Sequence, residues 1–187
     1  IAGIDGNGQT ELVEVMAGIK QIKSGSIIID GKEIRDNSHA VMKDQGIGII
    51  PEDRREQGLV LDLSIKDNII IGRRKDKEFV NKGVFKKRDV NAYADELIKE
   101  FDVRPPKRDV ICRFVSGGNQ QKIVLGKELA TEPKVILFDE PTRGIDVEAK
   151  REFYQIMHEL AAQGVAVIMN SSDMMEVIGM SSRVIVM

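Results

Sequence analysis

Apolar runs punctuate the chain at "GIGII", "KVILF", "VAVIM" and "RVIVM", each four or five residues long and rich in β-branched side chains. A run without polar alternation suits a strand covered on both faces, as in a parallel sheet flanked by helices. Helical periods separate the last three runs. "VEAKREFYQIMHELAAQG" sets Phe153, Ile156, Met157 and Leu160 at helical spacing, and "DMMEVIGM" is a shorter segment in which Met174 and Met175 read as core filler. Near the start, Thr10 to Ala17 carries Leu12, Val13 and Met16 on one face and closes on Gly18, a short helix. In "GSIIIDGKEI" two β-forming runs flank Asp30-Gly31, a strong hairpin signal. This alternation predicts an α/β core.

Between Glu52 and Ser116 the texture changes. Ser64 is placed to cap a helix through "IKDNIII", and a charged loop follows. A helix from about Asp89 to Phe101 then puts Ala94, Leu97, Ile98 and Phe101 on one stripe, and Pro105-Pro106 ends it. No strand run is evident here. The expected organisation is one domain over 1–187, with residues 1–52 and 130–187 as the α/β core and 53–129 as a mostly helical insertion.

With 187 residues, 42% hydrophobic and 31% charged, the composition is that of an ordinary globular domain. Only 4% is aromatic, so the core must be built from Ile, Val, Leu and Met. A net charge of −2 gives no electrostatic footprint for nucleic acid or an anionic membrane. The clusters Arg73, Arg74, Lys75 and Lys86, Lys87, Arg88 are interrupted by acids and read as a solvated connection. The lone Cys112 excludes a disulfide framework within this sequence and has no motif around it. His39 and His158 fall outside every motif and read as surface residues. No apolar stretch reaches the length of a membrane span, and no signal peptide precedes the first motif. The sequence opens inside a motif, without an initiator Met, and stops after "RVIVM", as an excerpt of a longer polypeptide would.

Three stretches carry chemistry. In "IAGIDGNGQTELVEVMAG", Gly3, Gly8 and Thr10 fit Gly-x-x-x-x-Gly-Lys-[Ser/Thr], with Gln9 in place of the lysine. Such glycines turn backbone N–H groups onto phosphate oxygens, the helix N-terminus adds its dipole, and the Thr hydroxyl can hold Mg²⁺. Asp5, Gly6, Asn7 and Glu11 are counted with this loop as nucleotide-binding candidates. The dinucleotide fingerprint Gly-x-Gly-x-x-Gly fails because it needs glycine at Glu11. In "KVILFDEPTRGID", a strand delivers Asp139 to hold Mg²⁺ and Glu140 to polarise an attacking water. A strand that merely ends in an acidic turn is the bland alternative. In "VSGGNQQK", Ser116 is placed to cap a helix continuing through Ile123 to Leu129, while Gly117 and Gly118 leave its first N–H groups open to an anion, with Gln120 beside them.

These motifs in this order resemble the nucleotide-binding domain of ATP-binding cassette proteins: Walker A loop, helical insertion, signature, Walker B and D-loop. The resemblance spans essentially the whole chain. It implies a P-loop NTPase core with a mostly parallel sheet, a small antiparallel hairpin and a helical insertion. It also implies ATP and Mg²⁺ as cofactors, Glu140 as catalytic carboxylate, Thr10 and Asp139 toward the metal, and Asp146 at the nucleotide. "GNGQTEL", "PEDRREQGLV", "SGGNQQK", "DEPTRGIDV" and "SSDMMEV" resemble the C-terminal half of tandem ATPases that energise bacterial importers of simple sugars and nucleosides. The implied partners are an N-terminal ATPase half of the same polypeptide, integral-membrane permease subunits and, indirectly, a periplasmic or lipid-anchored solute-binding protein, with no nucleic acid. The implied location is the cytoplasmic face of the cell membrane. Two other readings stand beside it: a non-hydrolysing nucleotide-binding module, and a soluble cassette ATPase of DNA repair or translation.

The chain departs from the family pattern at three places. Gln9 replaces lysine, Glu52 stands where the family has Gln, and Ser172 stands where it has a switch His. A neutral Gln forgoes a charge-assisted phosphate contact of about 1.5–3 kcal/mol. Loss of a donor aimed at transition-state charge lowers rates on the order of 10²–10³. Glu52 is expected to add a like charge near the phosphates. Slow hydrolysis is therefore expected at this loop. The resemblance implies head-to-tail pairing of two such domains, in which Ser116 and Gly118 would serve a nucleotide held by the other half. Glu140 is then unexplained, because a silent site needs no catalytic carboxylate. "PEDRREQG" reads equally as a solvated loop or as the element that couples nucleotide state to a membrane partner.

Overall fold

The computed structural model describes residues 1–4, 6–74 and 76–187; the loop candidate Asp5 and the basic-cluster member Lys75 lie outside the described residues. In chain order the elements are α1 (Gln9–Met16), β1 (Ile27–Ile29), β2 (Lys32–Ile34), α2 (His39–Asp44), β3 (Ile47–Ile50), α3 (Ile65–Ile70), β4 (Val80–Asn81), β5 (Val84–Phe85), α4 (Lys87–Glu100), α5 (Gly117–Leu129), β6 (Val135–Asp139), α6 (Val147–Ala162), β7 (Ala166–Asn170) and α7 (Met174–Met180). They form two compact units, Ile1–Glu52 with Thr131–Met187, and Asp53–Ala130.

In the first unit β3, β6 and β7 form a parallel sheet in the order β3-β6-β7, with Ile49 opposite Leu137 and Leu137 opposite Ile168. One face contributes Ile47, Ile49 and Leu137 to a core completed by Val13 and Ala17 of the opening helical segment and Met42 of α2. By alternation Ile136 and Phe138, both fully buried, face the other way. The amphipathic α6 lies against β7 and buries Phe153, Met157 and Leu160. Gly18, at φ 74, ends α1 in the left-handed conformation, and the Ile19 N–H returns to the Glu14 carbonyl at 2.8 Å. The β1–β2 turn places Asp30 and Gly31 at φ 50 and 76, the two left-handed residues that a tight hairpin requires.

Two expectations for this unit fail. "RVIVM" forms one bridge, Ala2 with Val186, instead of a strand: Ala2 N–H donates to the Ile185 carbonyl at 2.8 Å and Met187 N–H to the Ala2 carbonyl at 2.9 Å. Met174 and Met175 are 60% and 77% exposed and fill no core. The inward face of the short α7 is taken by Glu176 and Val177, and helical spacing turns the methionines outward.

In the second unit α3, α4 and α5 pack on one another. Ser64 caps α3 through the Asp67 N–H at 3.1 Å and donates its own hydroxyl to the Asp67 carboxylate at 2.5 Å. α4 buries Val90, Ala94, Leu97 and Ile98. It stops before the prolines: Asp102 takes φ 44, and Val103 N–H returns to the Ile98 carbonyl at 2.9 Å. Gly126 lets α5 approach α4, since a Cβ there would lie 2.6 Å from Leu97 Cδ2. The expected charged loop contains the β4–β5 hairpin, turned by Lys82 and Gly83 at φ 48 and 82. It is anchored by Phe79, which packs with Ile70 and Val90 under the Arg73 guanidinium. Cys112 is fully buried beside Asn68, and burial pushes its thiol up to about 11, so it is unreactive packing.

Candidate functional site

The glycine loop is shaped by Gly6 and Gly8, at φ 88 and 98. α1 begins at Gln9 with no side-chain cap, which leaves its first N–H groups open to an anion. Gln9 is only 6% exposed. Its Nε2 donates to the Ile4 carbonyl at 2.9 Å, and its Oε1 accepts the Asn7 N–H at 3.1 Å. A Cβ on Gly3 would lie 2.1 Å from Nε2, so the amide fills the space over that glycine. Glu11 points to solvent toward Lys20.

At the end of β6, Asp139 is 3% exposed and accepts the Asn170 Nδ2 at 2.7 Å. Burial pushes its carboxyl up, with the charges of Glu52 and Glu140 adding to the shift. Glu140 takes φ 45, a left-handed turn that aims its carboxylate back across the strand ends. Its N–H donates to the Asn170 carbonyl at 2.9 Å, and its Oε1 accepts the Ser172 N–H at 2.6 Å. Burial raises this carboxyl also, against the Ser172 hydrogen bonds, with Glu52 raising it further. Glu52 therefore acts on both carboxyls with like charge. It is not left alone, however, because the Arg143 guanidinium pairs with it.

Gly3, Gln9, Thr10, Glu52, Glu140 and Ser172 line one narrow cleft. On the far side of Glu140, an open groove of about 380 Å³ runs past Thr142, Arg143 and Lys150. Asp146 caps α6 through the Ala149 N–H at 2.9 Å and stays exposed.

A residue that the motifs do not single out organises this region. Glu176, 4% exposed, accepts the Thr142 hydroxyl at 2.6 Å and the Ser171 hydroxyl. It thereby ties the turn after Glu140 to the loop that carries Ser172. Burial and the adjoining Glu176 carboxylate push the Tyr154 phenol up to about 12. The signal for Glu176 lay in Asp173-x-x-Glu176, a helix-start pattern whose Glu faces back toward the preceding loop. Asp173 does cap α7, accepting the Met175 N–H at 3.0 Å.

In the helical unit, Ser116 stands at the N-cap of α5 but makes no capping bond. Its hydroxyl instead accepts the Asn119 Nδ2 at 2.9 Å, and Asn119 is drawn outward by Arg104 N–H at 2.7 Å. The N–H groups at Gly117 and Gly118 consequently have no serine oxygen over them. A Cβ on Gly117 would stand 2.6 Å from the Arg54 Nη2, so the guanidinium lies against the start of this helix. Gln120, expected at the nucleotide, is 2% exposed and donates its Nε2 to the Cys112 carbonyl at 2.9 Å; its side chain braces the helix from within. "PEDRREQG" is an ordered turn. Asp53 accepts Arg55 N–H at 2.8 Å, and the Gly58 carbonyl accepts Lys127 Nζ at 2.6 Å. His39 and His158 are exposed.

Among the described residues no three His, Cys, Asp or Glu side chains form a metal cage. Mg²⁺ held with phosphates takes only one or two protein carboxylates, so the Asp139 carboxylate and Thr10 hydroxyl, both hard oxygen donors, suit it. The open N–H groups of the loop suit the phosphates. The Gln9 amide already occupies the Asn7 N–H and the Ile4 carbonyl within that loop.

A model of the ABC transporter family matches residues 1–143. The chain is 46% identical over 186 residues to the ribose import ATP-binding protein RbsA of Lactococcus lactis subsp. lactis (strain IL1403), covering 100% of this chain and 37% of that protein. It is 45% identical over 188 residues to the protein of the same name from Bacillus licheniformis, with the same coverage. The chain thus spans about a third of the length of these relatives. A nucleotide-free ATP-binding cassette from an ABC transporter superposes with a TM-score of 0.77 at 20% identity, covering 100% of this chain and 74% of that one. The ATP-binding cassette MJ0796, a dimer bound to ADP and Pi in a post-hydrolysis state, gives 0.78 at 19%, covering 100% and 78%. The fold is that of an ATP-binding cassette, and the chain belongs to the ABC transporter family.

Proposed function

We propose that this chain is one cassette of a tandem ATPase that couples MgATP to the import of a simple sugar through a membrane permease, at the cytoplasmic face. The names of the relatives support the sugar, and their length, of which this chain covers 37%, leaves room for a second cassette. Among the described residues no helix is long and apolar enough to cross a membrane, which suits an ATPase seated on a separate permease.

Within this half, the loop N–H groups and the start of α1 orient phosphates, while Thr10 and Asp139 offer oxygens to the metal. Bound Mg²⁺ supplies Lewis-acid polarisation of phosphate oxygens. Glu140 is the proton acceptor for an attacking water. Gln9 and Glu52 make this loop slow, and Ser116 with Gly117 and Gly118 presents open N–H groups to a phosphate held by the other half. The observation that carries the reading is the Glu140–Ser172 bond in the same cleft as Thr10 and Gln9. It also gives Glu140 a role at a slow site, holding the ends of β6 and β7 together.

The test is ribose uptake into proteoliposomes that carry the full-length protein and its permease. Uptake is expected to require MgATP and to be lost in Ser116→Arg. ATP-independent uptake, or ATP-driven uptake that Ser116→Arg leaves intact, contradicts the reading.

A further inference from the structure

The glycine loop is closed by its own side chain. Both ends of the Gln9 carboxamide are used within the loop: Oε1 on the Asn7 N–H at 3.1 Å and Nε2 on the Ile4 carbonyl at 2.9 Å. The residue is 6% exposed, and Nε2 sits where a Cβ on Gly3 would be, 2.1 Å away. A lysine in this position has three donors and no acceptor. It can satisfy the Ile4 carbonyl but offers the Asn7 N–H no acceptor, leaving that group only its longer 3.3 Å bond to the same carbonyl, which an anion can outcompete. A glutamine satisfies both, so its amide oxygen stands where a phosphate oxygen would accept.

We propose that the Gln9 carboxamide is an intramolecular stand-in for phosphate, which the nucleotide must displace before it can seat in the loop. Gln9 then weakens binding by competition and not merely by lacking a charge. The two mechanisms differ in sign. If Gln9 were only a weak phosphate donor, truncating it would loosen binding. As a competitor, its removal tightens binding, by about three- to tenfold for one loop hydrogen bond released. The inference rests on the proposal that this loop takes nucleotide.

The test is hydrogen–deuterium exchange of the segment 3–12 in the full-length protein, titrated with MgADP, for wild type, Gln9→Ala, Gln9→Met and Gln9→Lys. Without nucleotide, Ala and Met are expected to speed exchange at Asn7, since the shorter of its two bonds is gone and only the 3.3 Å bond to the Ile4 carbonyl remains. With MgADP, the midpoint of protection is expected to fall about three- to tenfold in Ala and Met, and further in Lys. Met keeps the bulk of the side chain without either bond, so it carries the comparison if Ala disturbs the fold. Slower or unchanged exchange at Asn7, or a midpoint that rises or stays put in both Ala and Met, overturns the inference. Absence of MgADP protection at segment 3–12 in every variant, Lys included, instead defeats the reading that this loop binds nucleotide.

Discussion

The Arg143 guanidinium, on the turn after β6, pairs with the Glu52 carboxylate that follows β3. The acidic substitution expected to repel phosphates is thus half-compensated by a cation two residues beyond the Glu140-Pro141 step. With the Arg143 side chain 61% exposed, the pair is screened, and its loss should change stability by less than about 1 kcal/mol. Its effect on binding should be larger than that on folding. Arg143→Ala frees the Glu52 charge and is expected to weaken MgADP binding at this loop, whereas Glu52→Gln strengthens it. Titrations at two salt concentrations check this, with the Arg143 effect smaller at high salt. Tighter binding in Arg143→Ala contradicts the electrostatic account.

Burial raises the Glu140 carboxyl in the folded state, so the folded protein holds that proton more firmly than the unfolded chain. Stability from this group is present at low pH and declines as pH rises through the window between the ordinary carboxylate value and the raised one. Glu140→Gln removes the disfavoured charge yet keeps an oxygen for the Ser172 N–H. Its melting temperature should exceed that of wild type at pH 7.5 by a few degrees at most, because ~1 kcal/mol moves a domain of this size by about 2–4 °C. The advantage should shrink as pH falls through the window. An advantage that grows on acidification rules out burial as the cause.

Glu176 holds the Thr142 and Ser171 hydroxyls from within the first unit. Glu176→Ala leaves both buried hydroxyls without their acceptor and is expected to destabilise by roughly 2–4 kcal/mol in urea unfolding. Adding Thr142→Val and Ser171→Ala to that variant removes the orphaned groups and should recover part of the loss, a coupling that simple cavity formation would not produce.

The elements legible in the sequence are those that one local pattern decides. Asp30-Gly31, the apolar strands β3, β6 and β7, and the stripe of Val90, Ala94, Leu97 and Ile98 need no tertiary knowledge. The β4–β5 hairpin was hidden because its strands are two residues long, and only the buried Phe79 anchors them. "RVIVM" has the composition of a strand but pairs through the single Ala2–Val186 bridge, which composition does not record. Met174 and Met175 depart from the expected core placement because α7 turns Glu176 inward, against hydropathy. In the site, Glu140 with Asp139 and the glycine loop were visible as motifs. The pairing of Glu52 with Arg143, the Asn119 bond that replaces the Ser116 cap and the Glu176 clamp all join residues or side-chain choices that no spacing rule encodes.

The central claim is that this cassette turns over slowly at its own loop while its α5 start serves the other half. The most direct test is steady-state ATP hydrolysis by the full-length protein assembled with its permease, comparing wild type, Glu140→Gln and Ser116→Arg. The account predicts that Ser116→Arg lowers turnover on the order of 10² or more, while Glu140→Gln leaves most of it. Collapse of turnover in Glu140→Gln would show that the site built on the Gln9 loop is the working one and would contradict the account.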